Sequence, residues 1–297
     1  MRNVSLALLV AGAVIVLAIA ARARAGPTAF DFSTGAPDGL IATASRPPSS
    51  GKIETETADD FILGQQTTLQ SATFTGLLTG GATAADVARV TVDIYRVFPN
   101  ESDTVRSITV PTRANSPGDV ELVGRDTANS DMTFTTAVVN ANFAAANSVV
   151  SGIHASPSQT TGGEGAVSGT EVKFSVNFTT PLNLAADHYF FRPEVEVGTG
   201  EFLWLSAPKP IVPPLNPDLQ TWTRNETISP DWLRIGADVV GPGVEGAPAP
   251  AFNASFSVHG ETGGTAAIPL PAAFWPGIMM LGAVAGGLKY RRWMQLA

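Results

Sequence analysis

Apolar and polar residues alternate along several stretches of this chain. Val90-Thr91-Val92-Asp93-Ile94-Tyr95 keeps Val, Val and Ile on one side. Val172-Lys173-Phe174-Ser175-Val176-Asn177-Phe178 places four apolar residues at spacing two, and Phe252-Asn253-Ala254-Ser255-Phe256-Ser257-Val258 repeats the pattern. Period two is the signature of a strand with one dry and one wet face. Less regular alternation predicts strands over Thr67–Leu78, Met132–Asn140, Tyr189–Val197 and Glu201–Leu205. Turn formers fill the gaps: Pro99-Asn100, Ser116-Pro117-Gly118, Thr161-Gly162-Gly163, Gly198-Thr199-Gly200, Pro213-Pro214 and Gly241-Pro242-Gly243. Helical pattern is confined to short pieces at Ala84–Val87 and Ala141–Ala146. There is no repeat of fixed period, which argues against a propeller or solenoid. The expected fold is all-β, an antiparallel β-sandwich of jelly-roll-like kind.

The two ends break this pattern. Met1-Arg2-Asn3, an apolar run from Leu6 to Ala20 and then Ala23-Arg24-Ala25 are the parts of a secretory signal peptide, with cleavage expected after Ala25. Near the other end, the 17 residues from Ala272 to Leu288 carry no charge, enough for about 25 Å of helix and so for a short membrane span. Lys289, Arg291 and Arg292 follow as a stop-transfer end, and Trp275 and Trp293 flank the run as interfacial residues do. Residues 1–25 are thus read as signal peptide, 26–262 as an exported β domain, 263–267 as a linker and 268–293 as a membrane-directed tail.

Charge fits export. The chain carries 18 Lys+Arg against 26 Asp+Glu. Setting aside Arg2, Arg22, Arg24, Lys289, Arg291 and Arg292 leaves the body at about −14. Such a body repels phosphate backbones, so no nucleic-acid partner is expected. There is no cysteine, which excludes disulfides, thiolate metal sites and cysteine nucleophiles.

Ile268-Pro269-Leu270-Pro271-Ala272-Ala273-Phe274-Trp275, an apolar run and then Arg291-Arg292 together resemble the PEP-CTERM sorting signal, in its V-P-L-P-A-A-x-W variant. Leu270 stands where that family usually has Glu. The resemblance implies recognition by an exosortase, processing near Pro269–Pro271, and placement at a bacterial cell surface or in exopolysaccharide. Phe202–Ala207, Leu219–Asn225, Pro230–Arg234 and Phe252–Phe256 also resemble exported domains that precede such signals, which bears on placement alone.

Candidate chemistry is sparse. Glu194 and Glu196 lie two apart on an expected strand, roughly 6–7 Å from each other on one face. Glycosidases use paired carboxylates at such separations, and solvated strand charges have the same spacing. Asp59-Asp60 offers hard oxygens for Ca²⁺, which takes roughly six to eight ligands. The alternative is a turn or cap with the carboxylates on local N–H groups. A structural Ca²⁺ is the one cofactor suggested. His154, His188 and His259 are dispersed, there is no H-E-x-x-H, Asp187-His188 lacks a G-x-S-x-G partner, and Gly198-Thr199-Gly200 reads as a hairpin turn rather than a phosphate loop. Trp204, Trp222 and Trp232 either anchor the core or present flat faces to sugars, with Arg224, Asn225 and Asp231 as polar neighbours. The expected role is a non-enzymatic exported surface or matrix protein. The alternative is a carbohydrate-binding module or a weak glycan-active enzyme.

Overall fold

The computed structural model describes residues 26–263, except 50, 107–108, 152, 154–159, 209–217 and 245. The signal peptide, the sorting signal with its expected span, Pro213-Pro214 and His154 lie outside the described residues. Among the described residues no helix is long and apolar enough to cross a membrane. Among the described residues strands hold 55% and helical turns 6%, which makes the fold all-β. Residues Thr28–Gly263 form one compact unit.

The axis of the larger, nine-stranded sheet is β4 (Thr67–Thr79). Along one side it pairs with β9 (Val167–Leu184), and β7 (Met132–Ala145) lies beyond β9. Its other side is shared. β15 (Phe256–Thr262) covers Thr67–Phe74 and β11 (Glu201–Ala207) covers Gly76–Thr79. β1 (Thr28–Ser33) lies beyond β15, while β2 (Ile41–Ala44) and β14 (Asn253–Ala254) both pair with β11. β8 (Asn147–Val149) joins β2 in parallel. Because β7 runs through Ala146 straight into β8, the pairing closes on itself at this end. Ala42, Ala44, Leu77, Ala145, Leu203 and Leu205 fill a small separate core there.

The second sheet has the order β13 (Leu233–Arg234), β12 (Trp222–Asn225), β3 (Thr55–Leu63), β10 (Asp187–Val197), β5 (Val87–Arg96) and β6 (Val123–Asp126). Both sheets contribute to one main core, including Phe61, Val92, Ile94 and Phe191 from one and Phe74, Phe174, Trp204 and Phe256 from the other. Phe74 and Phe174 are cross-strand partners whose rings stack at 4.8 Å and 4°. Gly76 makes room for the neighbouring strand: a Cβ there would lie 2.1 Å from the Phe202 ring. Two mostly antiparallel sheets around one core are consistent with a β-sandwich.

Most predicted strands are present, and Ala84–Asp86 forms the short helical turn expected there. Three expectations are corrected. Ala141–Ala146 is not helical. Its residues to Ala145 continue β7, because pairing with β9 runs as far as Ala145↔Val167 and overrides alanine's helix preference. Phe252–Val258 is two strands rather than one. Ser255 interrupts it, donating its N–H to Leu205 and accepting from the N–H of Thr75, where the chain passes from β11 to β4. Gly198-Thr199-Gly200 is no hairpin, since it carries the chain from β10 in one sheet to β11 in the other. Gly200 takes φ +71° there.

Candidate functional site

In β3, β10, β5 and β12, alternate side chains point away from the main core. Phe191 and Val92 face inward, so Arg192 and Asp93 face outward. Tyr95, Glu56 and Arg224 share that outer face. It is covered in part by apolar groups: Ala58, Tyr95, Phe190, Leu219, Trp222 and Trp232 form a cluster of their own. Beside them opens a polar cleft of about 370 Å³. Its floor is Glu56, Asp93, Tyr95, Arg192 and Arg224, and its rim is Glu54, Glu121, Glu226 and Ser229.

Arg192 is the hub. It is 4% exposed. One of its terminal nitrogens donates to Asp93 Oδ2 at 2.8 Å. The other contacts Glu56 and lies 2.9 Å from Glu194 and 3.4 Å from Glu54. Arg224 donates its Nε–H to the second Glu56 oxygen and a terminal N–H to the Tyr95 hydroxyl at 3.1 Å. Its guanidinium lies 4.3 Å from the centre of the Trp232 ring, at cation–π distance. Both oxygens of Glu56 are thereby occupied by guanidinium groups.

These contacts split the carboxylates electrostatically. Burial works against the Glu56 charge, but Arg192 and Arg224 outweigh it and hold its pKa at about 2. Burial, helped by the charges of Glu121 and Glu56, outweighs the pull of Arg192 and Arg224 on Asp93 and pushes it up to about 6. Glu194 is pushed up to about 7 by burial, against the pull of Arg192. Burial and the Glu56 charge also raise Glu54. Gly124, opposite Asp93 in the register, is a further requirement of this floor. A Cβ at that position would lie 2.3 Å from Asp93 Oδ1.

Most residues singled out from sequence fall elsewhere. Trp204, Trp222 and Trp232 are each 1% exposed, so none presents a ring face to a sugar. The indole N–H of Trp204 donates to Ser255 O at 2.9 Å, that of Trp222 to Leu219 O at 3.0 Å, and that of Trp232 to Gly118 O at 3.3 Å. They are core anchors whose polar edges are satisfied. Of the three polar neighbours named with them, Arg224 alone lines the cleft. Asn225 accepts from Thr227 within a turn, and Asp231 pairs with Arg113. Glu194 is not a solvated strand charge but a buried partner of Arg192, while Glu196 is half-buried; neither lines the cleft.

Asp59 and Asp60 are adjacent on a strand, so their carboxylates point to opposite faces of β3 and do not converge on one ion. Asp59 accepts from the Ala254 N–H at 2.7 Å and from Thr221 Oγ at 3.3 Å. Asp60 accepts from the Leu219 N–H at 2.9 Å and meets His188 Nε2 at 2.6 Å. The pair staples residues 219–221 and β14 onto β3. Burial raises both pKa values, that of Asp59 furthest. Among the described residues no three His, Asp or Glu side chains gather closely enough to hold a metal ion.

The cleft residues leave little trace in the sequence because 54–56, 93–95, 121, 192 and 224–229 are remote along the chain. One signal is present: a charge set inside an otherwise apolar strand, as in Phe190-Phe191-Arg192-Pro193. Such a charge demands a buried partner. Fold and site together define an all-β protein with a polar, ion-paired cleft on one sheet. No family model, curated protein or solved structure matches the chain.

Proposed function

We propose that this chain is an exported, non-enzymatic β-sandwich protein of the cell surface or extracellular matrix, and that its cleft binds a hydroxyl-rich, uncharged or cationic glycan. The observation that carries the binding role is the cleft itself. Its volume falls in the range of small-ligand sites, about 300–1,000 Å³. Its walls are guanidinium, carboxylate and hydroxyl groups, which match sugar hydroxyls as donors and acceptors. Five carboxylates face two guanidinium groups there, so an acidic polysaccharide is repelled. Both Glu56 oxygens are engaged by arginine, which favours binding over chemistry, because a nucleophile or base needs a free lone pair.

The full chain in detergent, applied to an array of neutral, amino-bearing and uronic-acid glycans, tests this. Binding is expected to the first two classes and not the third. Glu121 and Glu226 are exposed rim residues, so Glu121→Lys with Glu226→Lys should weaken binding roughly tenfold or more, about 1.4 kcal/mol, and leave folding intact. No binding to any glycan would sink the proposal.

Export rests on the signal-peptide pattern and the PEP-CTERM resemblance of residues 268–293. In this reading, an exosortase meets Pro269-Leu270-Pro271 at the membrane surface while the apolar run and the basic end hold the chain there. Replacing Pro269 and Pro271 with Ala should leave the full-length form in the membrane fraction. Unchanged release and size on immunoblots would remove the sorting role.

A further inference from the structure

We infer that the free edge of β7 pairs with β7 of a second copy of this chain, joining two nine-stranded sheets into one across a two-fold axis. Among the described residues, β7 is paired with β9 alone. From Thr133↔Asn177 to Val138↔Val172 the register is unbroken, so this segment is a regular ladder with one side unused. Among the described residues, no backbone hydrogen bond outside the sheet involves Thr133–Val138. One face of this segment is open, with Thr133, Thr135 and Ala137 exposed; on the other, Phe134 and Thr136 are half-buried and Val138 is 57% exposed.

An edge of this kind is a template for another strand, and proteins ordinarily blunt it with shortness, charge, proline or bulges. The other terminal strands are blunted. β8 has three residues, and β13 has two, one of them Arg234. β6 has four residues, including Arg125 and Asp126, and β1 carries Asp31. β7 has fourteen residues and no charge or proline. Its register shifts begin only at Val138/Asn140, past the regular segment. That segment, Thr-Phe-Thr-Thr-Ala-Val, is rich in β-formers.

Charge selects a second copy as the occupant. The chain is acidic, and two copies repel over most of their surface. From Met132 to Gly163 there is no Asp, Glu, Lys or Arg. This is where like molecules approach without a penalty. An antiparallel pair of identical strands also sets only Thr, Ala, Val and Phe opposite one another, with no like charges facing. The two-fold arrangement is closed and uses the same patch on both partners. Six residues a side make a small interface, so the association is weak and depends on concentration.

Sedimentation velocity of the full chain in detergent should show a monomer–dimer equilibrium that shifts with concentration. Thr135→Lys and Val138→Lys each put a charge into the otherwise uncharged junction and should weaken dimerisation at least tenfold at unchanged melting temperature. The chain has no cysteine, so single Thr133→Cys, Thr135→Cys and Ala137→Cys variants report the contact directly. At least one should give a disulfide dimer on mild oxidation, and exposed Ala128→Cys should not. A monomer at every concentration, dimerisation indifferent to both lysines, open-ended polymers, or cross-linking no greater than that of the Ala128 control would each overturn the inference.

Discussion

Replacing Arg192 with Ala is expected to cost about 3–5 kcal/mol of folding stability, the loss typical when one partner of a buried ion pair is removed. The guanidinium sits against Glu56, Asp93 and Glu194, all largely buried, with Glu54 at the edge. Without it, Asp93 and Glu194 lose the cation that faces them. Glu56 keeps only Arg224. Removing this charge therefore strands several opposite charges at once. Domains hold about 5–15 kcal/mol in all, so such a loss is a large fraction of the total. Arg192→Lys should recover only part of it, because an ammonium group cannot reach carboxylates in the directions of a planar fork. The stranded carboxylates regain stability by protonation, so the deficit should shrink on acidification. Urea unfolding at pH 7.5 and pH 5 measures both effects. A loss below about 1 kcal/mol at pH 7.5 would mean that the hub is not what organises the cleft.

The second large effect is a displacement of greatest stability toward mild acid. Asp93 and Glu194 have folded pKa values raised to about 6 and about 7. A raised acid binds its proton more tightly when folded. Its stabilisation is complete below its ordinary carboxylate pKa and is lost as pH climbs through the folded value. Stability should therefore fall between about pH 5 and pH 8, and buried Asp59 and Asp60 act in the same direction. Glu56 has the opposite sign. At about 2 its folded pKa is depressed, so its contribution is present above the ordinary value of 4.5 and disappears as pH drops toward 2. The two limbs place the optimum near pH 5. A tenfold change in proton affinity corresponds to about 1.4 kcal/mol, so the alkaline limb amounts to a few kcal/mol. Thermal melts from pH 3 to pH 9 should trace this profile, and Asp93→Asn with Glu194→Gln should flatten its alkaline side. A flat profile from pH 5 to pH 8 in the unmodified chain would contradict the assignment.

Which parts of this structure could be read from sequence depended on where water lies. β5 and β9 have one face on the core and one more open, and their alternation marked them. β3 was legible only as a strand entry at Asp59-Asp60. Nearly all of Thr-Glu-Thr-Ala-Asp-Asp-Phe-Ile-Leu is buried, on both faces, so it has no wet side to alternate with, and its paired acids suggested an ion site or a turn or cap. The tryptophans were open to two readings, core anchors or a sugar platform, and burial decides for the first: Trp204 lies in the main core and Trp222 and Trp232 in the apolar cluster on the outer face of the second sheet. The cleft was least legible, because its chemistry arises from register: Arg192 stands opposite Asp93 and Arg224 opposite Glu56. Pairings between distant strands leave no local spacing to find.

Thr28 stands opposite Thr262, since the first and last strands of the compact unit run antiparallel side by side. Chain therefore enters and leaves this unit at a single corner, on the layer away from the cleft. The same proximity means that a short bridge could join the two ends and new termini could be opened in a surface loop without rerouting any strand.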